Sequence, residues 1–248
     1  MSSKHPTPEI LASDVAAIAA VNEDLVTANK LLVQFGIVDA FGHVSARHPV
    51  NPSHFLMSKR MAPAQVTVDD IREHGSDGQL VVNTGEPLFL ERFIHSEIYA
   101  ARSDIHAVVH SHSSSIIAFG IVDLPLKPVC QMCGFLGTGA PVFEMRETEG
   151  DDSDLMINSS KRGKALVNVL ADQNVVLMRG HGSTAVGQTI ARAVYRAIYT
   201  ETNAKIQSHA TTLGKVNYLT EGEAATAEKL AGLQVERTWN FWKEQVAQ

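Results

Sequence analysis

Apolar residues recur along this chain at helical and at strand-like spacings, and their alternation predicts an α/β fold. From Asp14 to Phe35 the apolar positions follow the helical repeat, and Gly36 is a residue that often follows a helix. Short apolar runs between turn residues predict buried strands at residues 43–47, 55–58 and 175–178.

Further helices are predicted in the middle of the chain. Pro87 suits the first turn of a helix that continues through Ile98, and Ser159 can cap a helix over residues 163–171. A longer amphipathic helix is predicted over roughly residues 190–213.

A final helix is predicted to begin at the capping box that Thr220 forms with Glu223. It ends in an apolar tail, Trp239, Phe241 and Trp242, which we expect to pack on the body of the protein or on a neighbouring subunit. No internal repeat or linker divides the chain. We therefore predict one domain over residues 1–248, with a core at about 20–215 and a helical extension at about 220–248.

Another buried strand, through Val108 and Val109, ends in His110-Ser111-His112. Because side chains alternate along a strand, His110 and His112 point to the same face, about 6.5 to 7 Å apart. Serines 113–115 can then begin a helix over residues 116–119. Open α/β sheets place ligands at such strand-to-helix turns, so the two imidazoles can converge on one metal ion. Two histidines satisfied by ordinary hydrogen bonds are the alternative.

Composition narrows the classes of function. The 248 residues, 44% of them hydrophobic and 19% charged, can bury a sizeable core, and the net charge is −6. No basic or arginine-rich segment marks a nucleic-acid surface, so nucleic acid is not an expected partner. No apolar window approaches the roughly 18 residues of a membrane span, and the N-terminus lacks the apolar segment of a signal peptide. We therefore expect no membrane partner and a cytoplasmic location.

The chain contains two cysteines, Cys130 and Cys133, at a spacing used by redox dithiols and by half of a structural zinc site. There is no second pair, and a redox motif would open a helix, whereas the glycine-rich residues 134–139 predict a loop. We expect two reduced thiols.

A third metal ligand is predicted at His181, because catalytic metal ions commonly take three protein ligands. His181 lies between Gly180 and Gly182 just after a buried strand, where the backbone can approach a ligand closely. Five histidines in less convergent settings remain rival ligands: His43, His48, His54, His95 and His106.

Glu91 is the candidate acid or base. It lies in the apolar stretch 88–94 just before the His-x-His strand. Burial there would raise the pKa of the Glu91 carboxyl, which suits proton transfer near neutral pH. A local ion pair with Arg92 on a solvated face is the alternative.

Four motifs resemble the class II aldolase and adducin family, over roughly residues 20–215. They are Gly-His-Val-Ser-Ala-Arg at residues 42–47, Glu91, the Val-Val-His-Ser-His run, and Gly180-His181-Gly182. The resemblance implies a single-domain, three-layer α/β fold whose central, mainly antiparallel sheet is flanked by helices. It also implies that Glu91 transfers a proton and that a catalytic divalent metal is held by His110, His112 and His181.

The chain departs from the phosphate-binding pattern of the sugar-phosphate aldolases in this family. His43 stands for an asparagine, Lys59 and Arg60 for a threonine and a glycine, and Phe89 and Leu90 for two serines. Hydroxyl donors are lost, while the two cations suit a carboxylate. These residues resemble the branch that decarboxylates hydroxylated aromatic or pyridine dicarboxylates.

This branch implies metal-dependent, non-oxidative decarboxylation of a hydroxylated benzene or pyridine di- or polycarboxylate, catalysed by a carbon–carbon lyase. We expect the metal to stabilise an enolate as CO2 leaves and Glu91 to deliver a proton to the ring carbon. Substrate-binding roles are predicted for His43, Ser45, Arg47, Lys59 and Arg60. The alternatives are a class II aldolase or epimerase acting on a sugar phosphate, and a non-enzymatic adducin-like interaction module.

The expected cofactor is one divalent ion per subunit. The resemblance favours manganese or zinc, and three histidines also suit cobalt or iron. The expected partner is a small aromatic carboxylate substrate. The resemblance further implies a homotetramer with active sites at subunit interfaces.

Overall fold

One sheet organises the molecule. The structure, a computed structural model, describes residues 11–246. Its strands β1 to β7 are His43–Arg47, Phe55–Ser58, Ile71–His74, Ala107–Ser111, Val142–Phe143, Val175–Met178 and Gly182–Gly187. They lie in the order β3-β2-β1-β4-β7-β6-β5; β5 and β6 are parallel, and the other neighbouring pairs are antiparallel. This confirms the predicted α/β class with a mainly antiparallel sheet.

The sheet is flanked by helices. Helices α1 to α8 are Ala12–Gln34, Arg92–Ala101, Ser114–Gly120, Arg146–Glu149, Ser160–Leu170, Ile190–Leu213, Glu221–Gly232 and Val235–Val246. Across residues 11–246, none of the helices combines the length and the apolar character needed to span a bilayer.

A hydrophobic core fills the space on each face of the sheet. Helices α1, α6 and α8 contribute Leu25, Val194 and Trp239 to one core, while α2 and α5 build the other. Successive residues of β4 belong to different cores, Val109 to the first and Val108 to the second. His110 therefore lies on the α2 side of the sheet, because side chains two apart on a strand share a face.

The helix predicted from Pro87 begins instead at Arg92, so that prediction of its start was wrong. Pro87 is compatible with a first helical turn but does not require one. The residues after it bury apolar surface in another way, since the ring of Phe89 packs 4.8 Å from the ring of His43. Glu91 is consequently the N-cap of α2 rather than a residue on its side.

The final predicted helix is two helices, α7 and α8, with a break at Leu233 and Gln234. The capping box of Thr220 is present at the start of α7. The break follows Gly232, where the guanidinium of Arg192 lies so close that a side chain could not be accommodated without movement. Glycine also weakens a helix interior, which favours a turn at this point.

The aromatic tail packs within its own chain. Trp239 and Trp242 are buried, and the ring of Trp242 lies 5.1 Å from the ring of Phe35 at the end of α1. Phe241 is 58% exposed. Of the two arrangements expected for this tail, the structure thus shows packing on the body for both tryptophans.

Candidate functional site

Three imidazoles and one carboxylate converge at the end of β4. His110 lies in β4 and His112 just after it, His181 lies in the turn between β6 and β7, and Glu91 precedes α2. One potential ligand atom from each of the four lies within 4.8 Å of the others. The structure therefore brings together the three predicted metal ligands and the predicted proton-transfer residue.

His110 is held in the tautomer that a metal ligand needs. Its Nδ1 lies 3.1 Å from the backbone carbonyl oxygen of Ser183. Because a carbonyl only accepts, Nδ1 carries the hydrogen and Nε2 presents its lone pair. That Nε2 lies 2.9 Å from Nε2 of His112 and 3.3 Å from Oε2 of Glu91. Imidazole lone pairs and a carboxylate oxygen gathered in one small volume fit a divalent transition metal.

The other two imidazoles are consistent with this donor set. Burial first, and then the neighbouring His110 and His181, lowers the pKa of His112 to about 4. A neutral imidazole is the form that binds a metal. His181 places Nε2 at 3.5 Å from Oε2 of Glu91, while its Nδ1 is buried without a hydrogen-bond partner in the part of the chain that the structure describes.

The turn that carries His181 depends on the glycines on either side. Gly180 has φ +66°, a left-handed conformation that side chains disfavour. Gly182 pairs with β4 so closely that an added Cβ would overlap the backbone carbonyl of Ser111. The amide of His181 donates to the carbonyl of Met178 at 3.0 Å, which closes the turn. Together these constraints bring the His181 imidazole against the end of β4.

Glu91 is a buried carboxylate, 5% exposed, and its Oε1 accepts a hydrogen bond from the backbone amide of Ile157 at 3.0 Å. Burial alone would raise the pKa of Glu91, but the facing imidazoles of His110 and His181 outweigh it when they are protonated, and a metal ion bound to the neutral imidazoles would act in the same direction. They hold the pKa well below its ordinary value, so the raised pKa expected from the sequence was wrong. In the resting site Glu91 is therefore an ionised carboxylate.

A cavity of about 590 Å³ opens onto Glu91, His112 and His181. Its other walls are mostly apolar and include Phe41, Met61, Phe89, Leu90 and Met156. Aromatic rings on the wall of a cavity suit a flat, apolar ligand.

The three cations predicted to bind substrate have different surroundings. Arg60 lines the cavity, and among residues 11–246 no hydrogen bond or ion pair engages its guanidinium. Lys59 instead pairs with Asp70 at 2.8 Å. Arg47 donates to backbone carbonyls, including those of Tyr99 and Ile105, and its guanidinium stacks 4.9 Å above the Tyr99 ring. Of the three, the structure places Arg60 at the cavity.

His43 and Ser45 belong to a buried hydrogen-bonded chain that the sequence did not reveal. Nδ1 of His43 lies 2.7 Å from Nε2 of His95, and Nδ1 of His95 lies 2.6 Å from Oγ of Ser45. Ser45 Oγ lies 2.7 Å from the Tyr99 hydroxyl. His43 lines the cavity, whereas Ser45 is fully buried behind it. One feature of the sequence could have indicated this hydrogen-bonded chain: His95 and Tyr99 are four residues apart on a helix, a spacing that places both on one face.

The sequence matches the family described as "Class II Aldolase and Adducin N-terminal domain" over residues 23–208. Among curated proteins, the chain is 36% identical to the decarboxylase TropJ of Talaromyces stipitatus, covering 87% of this chain and 90% of that one. It is 25% identical to a 3,4-dihydroxyphthalate decarboxylase of Arthrobacter keyseri, covering 92% of this chain and 94% of that one. The relatives named as decarboxylases support an enzyme.

Solved structures share the architecture. An L-fuculose 1-phosphate aldolase from Glaciozyma antarctica superposes with a TM-score of 0.74 at 25% identity, covering 96% of this chain and 94% of that one. The chain thus resembles proteins named as decarboxylases in sequence and a protein named as a sugar-phosphate aldolase in fold.

Proposed function

Since this chain belongs to the Class II Aldolase and Adducin N-terminal domain family, we propose that it is a carbon–carbon lyase that decarboxylates a hydroxylated aromatic di- or polycarboxylate. Its relatives named as decarboxylases support the reaction type. The observation that carries the substrate class is one cavity that combines the aromatic wall of Phe89 with the guanidinium of Arg60.

We propose that His110, His112 and His181 hold one divalent ion, with manganese or zinc favoured and cobalt or iron as alternatives. When bound, such an ion supplies Lewis-acid chemistry, drawing negative charge from a substrate oxygen. Ser183 supports this role through its carbonyl, which keeps the Nε2 lone pair of His110 free.

Glu91 moves the proton in this proposal. As a carboxylate it first accepts the proton of the substrate hydroxyl, which leaves negative charge on the substrate oxygen. Glu91 then delivers this proton to the ring carbon that carries the departing carboxylate, which converts the ring to its keto tautomer. The bond between that carbon and the carboxylate breaks, CO2 leaves with its oxygen atoms, and the bonding electron pair returns to the ring, which regains its aromaticity as the phenolate. The hydrogen bond from the Ile157 amide to Oε1 holds the carboxylate in place while Oε2 works.

Arg60 orients the substrate by binding a second carboxylate that remains on the ring. A guanidinium can make two parallel hydrogen bonds to a carboxylate, which fixes the plane of an attached ring. Phe89 and Leu90 then offer apolar contact to the ring itself. Roles for Lys59 and Arg47 in binding substrate stay predictions that this arrangement does not use.

Release of CO2 tests the proposal. The protein, reconstituted in turn with manganese and zinc, is offered a panel of hydroxyphthalates and hydroxypyridine dicarboxylates, and we expect CO2 from at least one of them. Isophthalate and phthalate without a hydroxyl serve as matched controls and should be inert, because they have no proton for Glu91 to accept. If none of the hydroxylated compounds released CO2, the proposal would be overturned.

The sugar-phosphate aldolase alternative is favoured by the superposition on an L-fuculose 1-phosphate aldolase. Phe89 and Leu90 weigh against it, because the cavity wall they form has no hydroxyl donors for a phosphate. Cleavage of ketose phosphates, with competition by inorganic phosphate, would favour the aldolase. An adducin-like interaction module would bind no catalytic metal, so metal analysis separates that option.

We also propose a homotetramer with active sites at subunit interfaces, on the strength of the family. Phe41 supports an interface near the cavity, because it lies on the cavity wall and is 67% exposed. Light scattering of the full chain tests the assembly. A monomer would contradict it.

A further inference from the structure

Behind the cavity, four polar groups form a single file of hydrogen bonds: His43, His95, Ser45 and Tyr99. None of them is a metal ligand in the proposed function. His95 and Ser45 are fully buried, and Tyr99 is 6% exposed. Only the first member, His43, reaches the cavity.

The rings in this file are held in place by their neighbours. The Phe55 ring is stacked on His95 at 6.2 Å and packs 5.5 Å from the Tyr99 ring. Arg47 also lies over the Tyr99 ring and donates to the Tyr99 backbone carbonyl. The side chains of His95 and Tyr99 therefore have little freedom to rotate toward other hydrogen-bond partners.

Protons can be arranged along the file in three ways, since each contact needs one donor and one acceptor and a hydroxyl oxygen can accept twice. In the first arrangement, Tyr99 donates to Ser45, Ser45 donates to Nδ1 of His95, and Nε2 of His95 donates to Nδ1 of His43. In the second arrangement every one of these bonds is reversed, and the Tyr99 hydroxyl needs an acceptor of its own. In the third, Ser45 accepts from both Tyr99 and Nδ1 of His95, His43 donates from Nδ1 to His95, and the Ser45 hydroxyl needs an acceptor of its own.

The two hydroxyl groups distinguish these arrangements. Within residues 11–246, the Tyr99 hydroxyl has Ser45 as its hydrogen-bond partner, and the Ser45 hydroxyl has Tyr99 and His95. The second arrangement would therefore leave the buried O–H of Tyr99 without an acceptor, and the third would do the same to Ser45, each at the full cost of desolvation. The first arrangement satisfies every hydrogen between Tyr99 and His95 and leaves the N–H of His43 at Nε2.

We propose that Tyr99, Ser45 and His95 are positioning residues that hold His43 in its Nε2–H tautomer, so that His43 donates a hydrogen bond to a substrate oxygen in the cavity. His43 thereby helps to determine specificity. Its N–H favours ligands that place a carbonyl, phenolate or carboxylate oxygen against it and disfavours ligands that place a hydrogen-bond donor there. The identity of that oxygen as part of an aromatic carboxylate rests on the proposed function. The tautomer itself does not.

Neutron diffraction from deuterium-exchanged crystals of the zinc-loaded protein tests the tautomer directly. We expect deuterium on Nε2 of His43 and none on its Nδ1, with deuterium on Nε2 of His95. Deuterium on Nδ1 of His43 would overturn the proposal. This measurement needs no substrate, so it can fail or succeed independently of decarboxylation.

Two variants test whether the file sets the tautomer. Tyr99→Phe removes the terminal donor, and Ser45→Ala interrupts the file, so in each we expect deuterium distributed over both nitrogens of His43. Crystals of either variant also show whether the site is still folded. An unchanged Nε2–H in both variants would remove Tyr99 and Ser45 from the positioning role.

Kinetics provide a second readout. Losing one well-placed donor should raise KM for the substrate by about three- to tenfold in Tyr99→Phe, with a smaller change in kcat. Tyr195→Phe is the matched control, because Tyr195 is also a buried phenol with one hydrogen bond, to the carbonyl of Met132, but lies away from the cavity. Equal KM changes in Tyr99→Phe and Tyr195→Phe would contradict a specific role for Tyr99.

Discussion

Gly182 meets the backbone carbonyl of Ser111 at a distance that leaves no room for a Cβ atom. This contact joins β7 to β4 next to His181 and His112, so the geometry of the proposed metal centre depends on a residue that has no side chain.

Gly182→Ala should push the His181 turn away from β4. We expect weaker metal binding and a loss of about 1–3 kcal/mol in the free energy of unfolding, typical of overpacking. Metal content by mass spectrometry and chemical denaturation measure the two effects. Gly222→Ala is the control, because no atom lies within 4 Å of the added methyl on α7; it should leave metal binding unchanged and should not lower the free energy of unfolding, since alanine favours a helix. Full metal occupancy in Gly182→Ala would show that the contact can relax.

His181→Ala should remove a ligand outright. Its metal affinity should fall by more than the roughly 10- to 100-fold that loss of an outer-shell partner costs. Titration with zinc against a chelator of known affinity measures the change. His106→Ala is the control, since His106 is an exposed histidine outside the cluster. Equal affinities in the two variants would show that His181 is not a ligand.

Glu91→Gln should retain the fold and much of the metal, but lose turnover. Replacing a proton-transfer group typically costs about 10²- to 10⁴-fold, and we expect kcat to fall by that amount. Rapid-quench measurement of CO2 on metal-loaded protein is the assay, with the exposed Glu236→Gln as control. Turnover by Glu91→Gln at the wild-type rate would eliminate the proton-transfer role.

Arg60→Ala and Lys59→Ala should behave differently although the residues are adjacent. Arg60 is free to bind a carboxylate, and its loss should raise KM roughly 10- to 100-fold, in line with charge-assisted hydrogen bonds of about 1.5–3 kcal/mol. Lys59 is paired with Asp70, so Lys59→Ala should leave KM within about threefold of wild type. Steady-state kinetics on one substrate decide between them. A larger KM effect at Lys59 would reverse the assignment.

Cys130 should be reactive at neutral pH. The sulfur atoms of Cys130 and Cys133 lie 3.1 Å apart, and the hydrogen bond between them lowers the pKa of Cys130 to about 7. The thiolate is the nucleophile, so the alkylation rate should rise with pH and reach half its maximum near pH 7. Cys133→Ala removes this hydrogen-bond partner and should move the midpoint up toward the ordinary value of about 8.5. A wild-type midpoint already near that value would contradict the contact.

Sequence reasoning anticipated the parts of the site that lie on regular, strongly patterned elements. The alternation of a strand explains why His110 was placed correctly in β4, and His181 came from the glycines that its turn requires. Strand β7 was missed, because its small and polar residues, Gly182–Gly187, carry no apolar alternation.

Side-chain partners could not be predicted in the same way. Whether Lys59 faces the cavity or Asp70 depends on where the chain returns after β2. Arg47 donates its hydrogen bonds to backbone carbonyls rather than to a substrate, and this depends on the path of α2. The pKa of Glu91 was misjudged for the same reason: burial was inferred from its apolar neighbours in sequence, but the imidazoles that outweigh burial come from β4 and from the turn between β6 and β7.

The contact between Phe35 and Trp242 joins the ends of a long stretch of chain, since the two residues are about 200 positions apart in sequence. During synthesis, helix α1 leaves the ribosome well before its aromatic partner on α8 exists. The apolar face of α1 therefore lacks its contact with α8 during most of translation. A chain interrupted before α8 would expose this surface to other nascent chains, which makes the last helix a safeguard against aggregation as well as a part of the core.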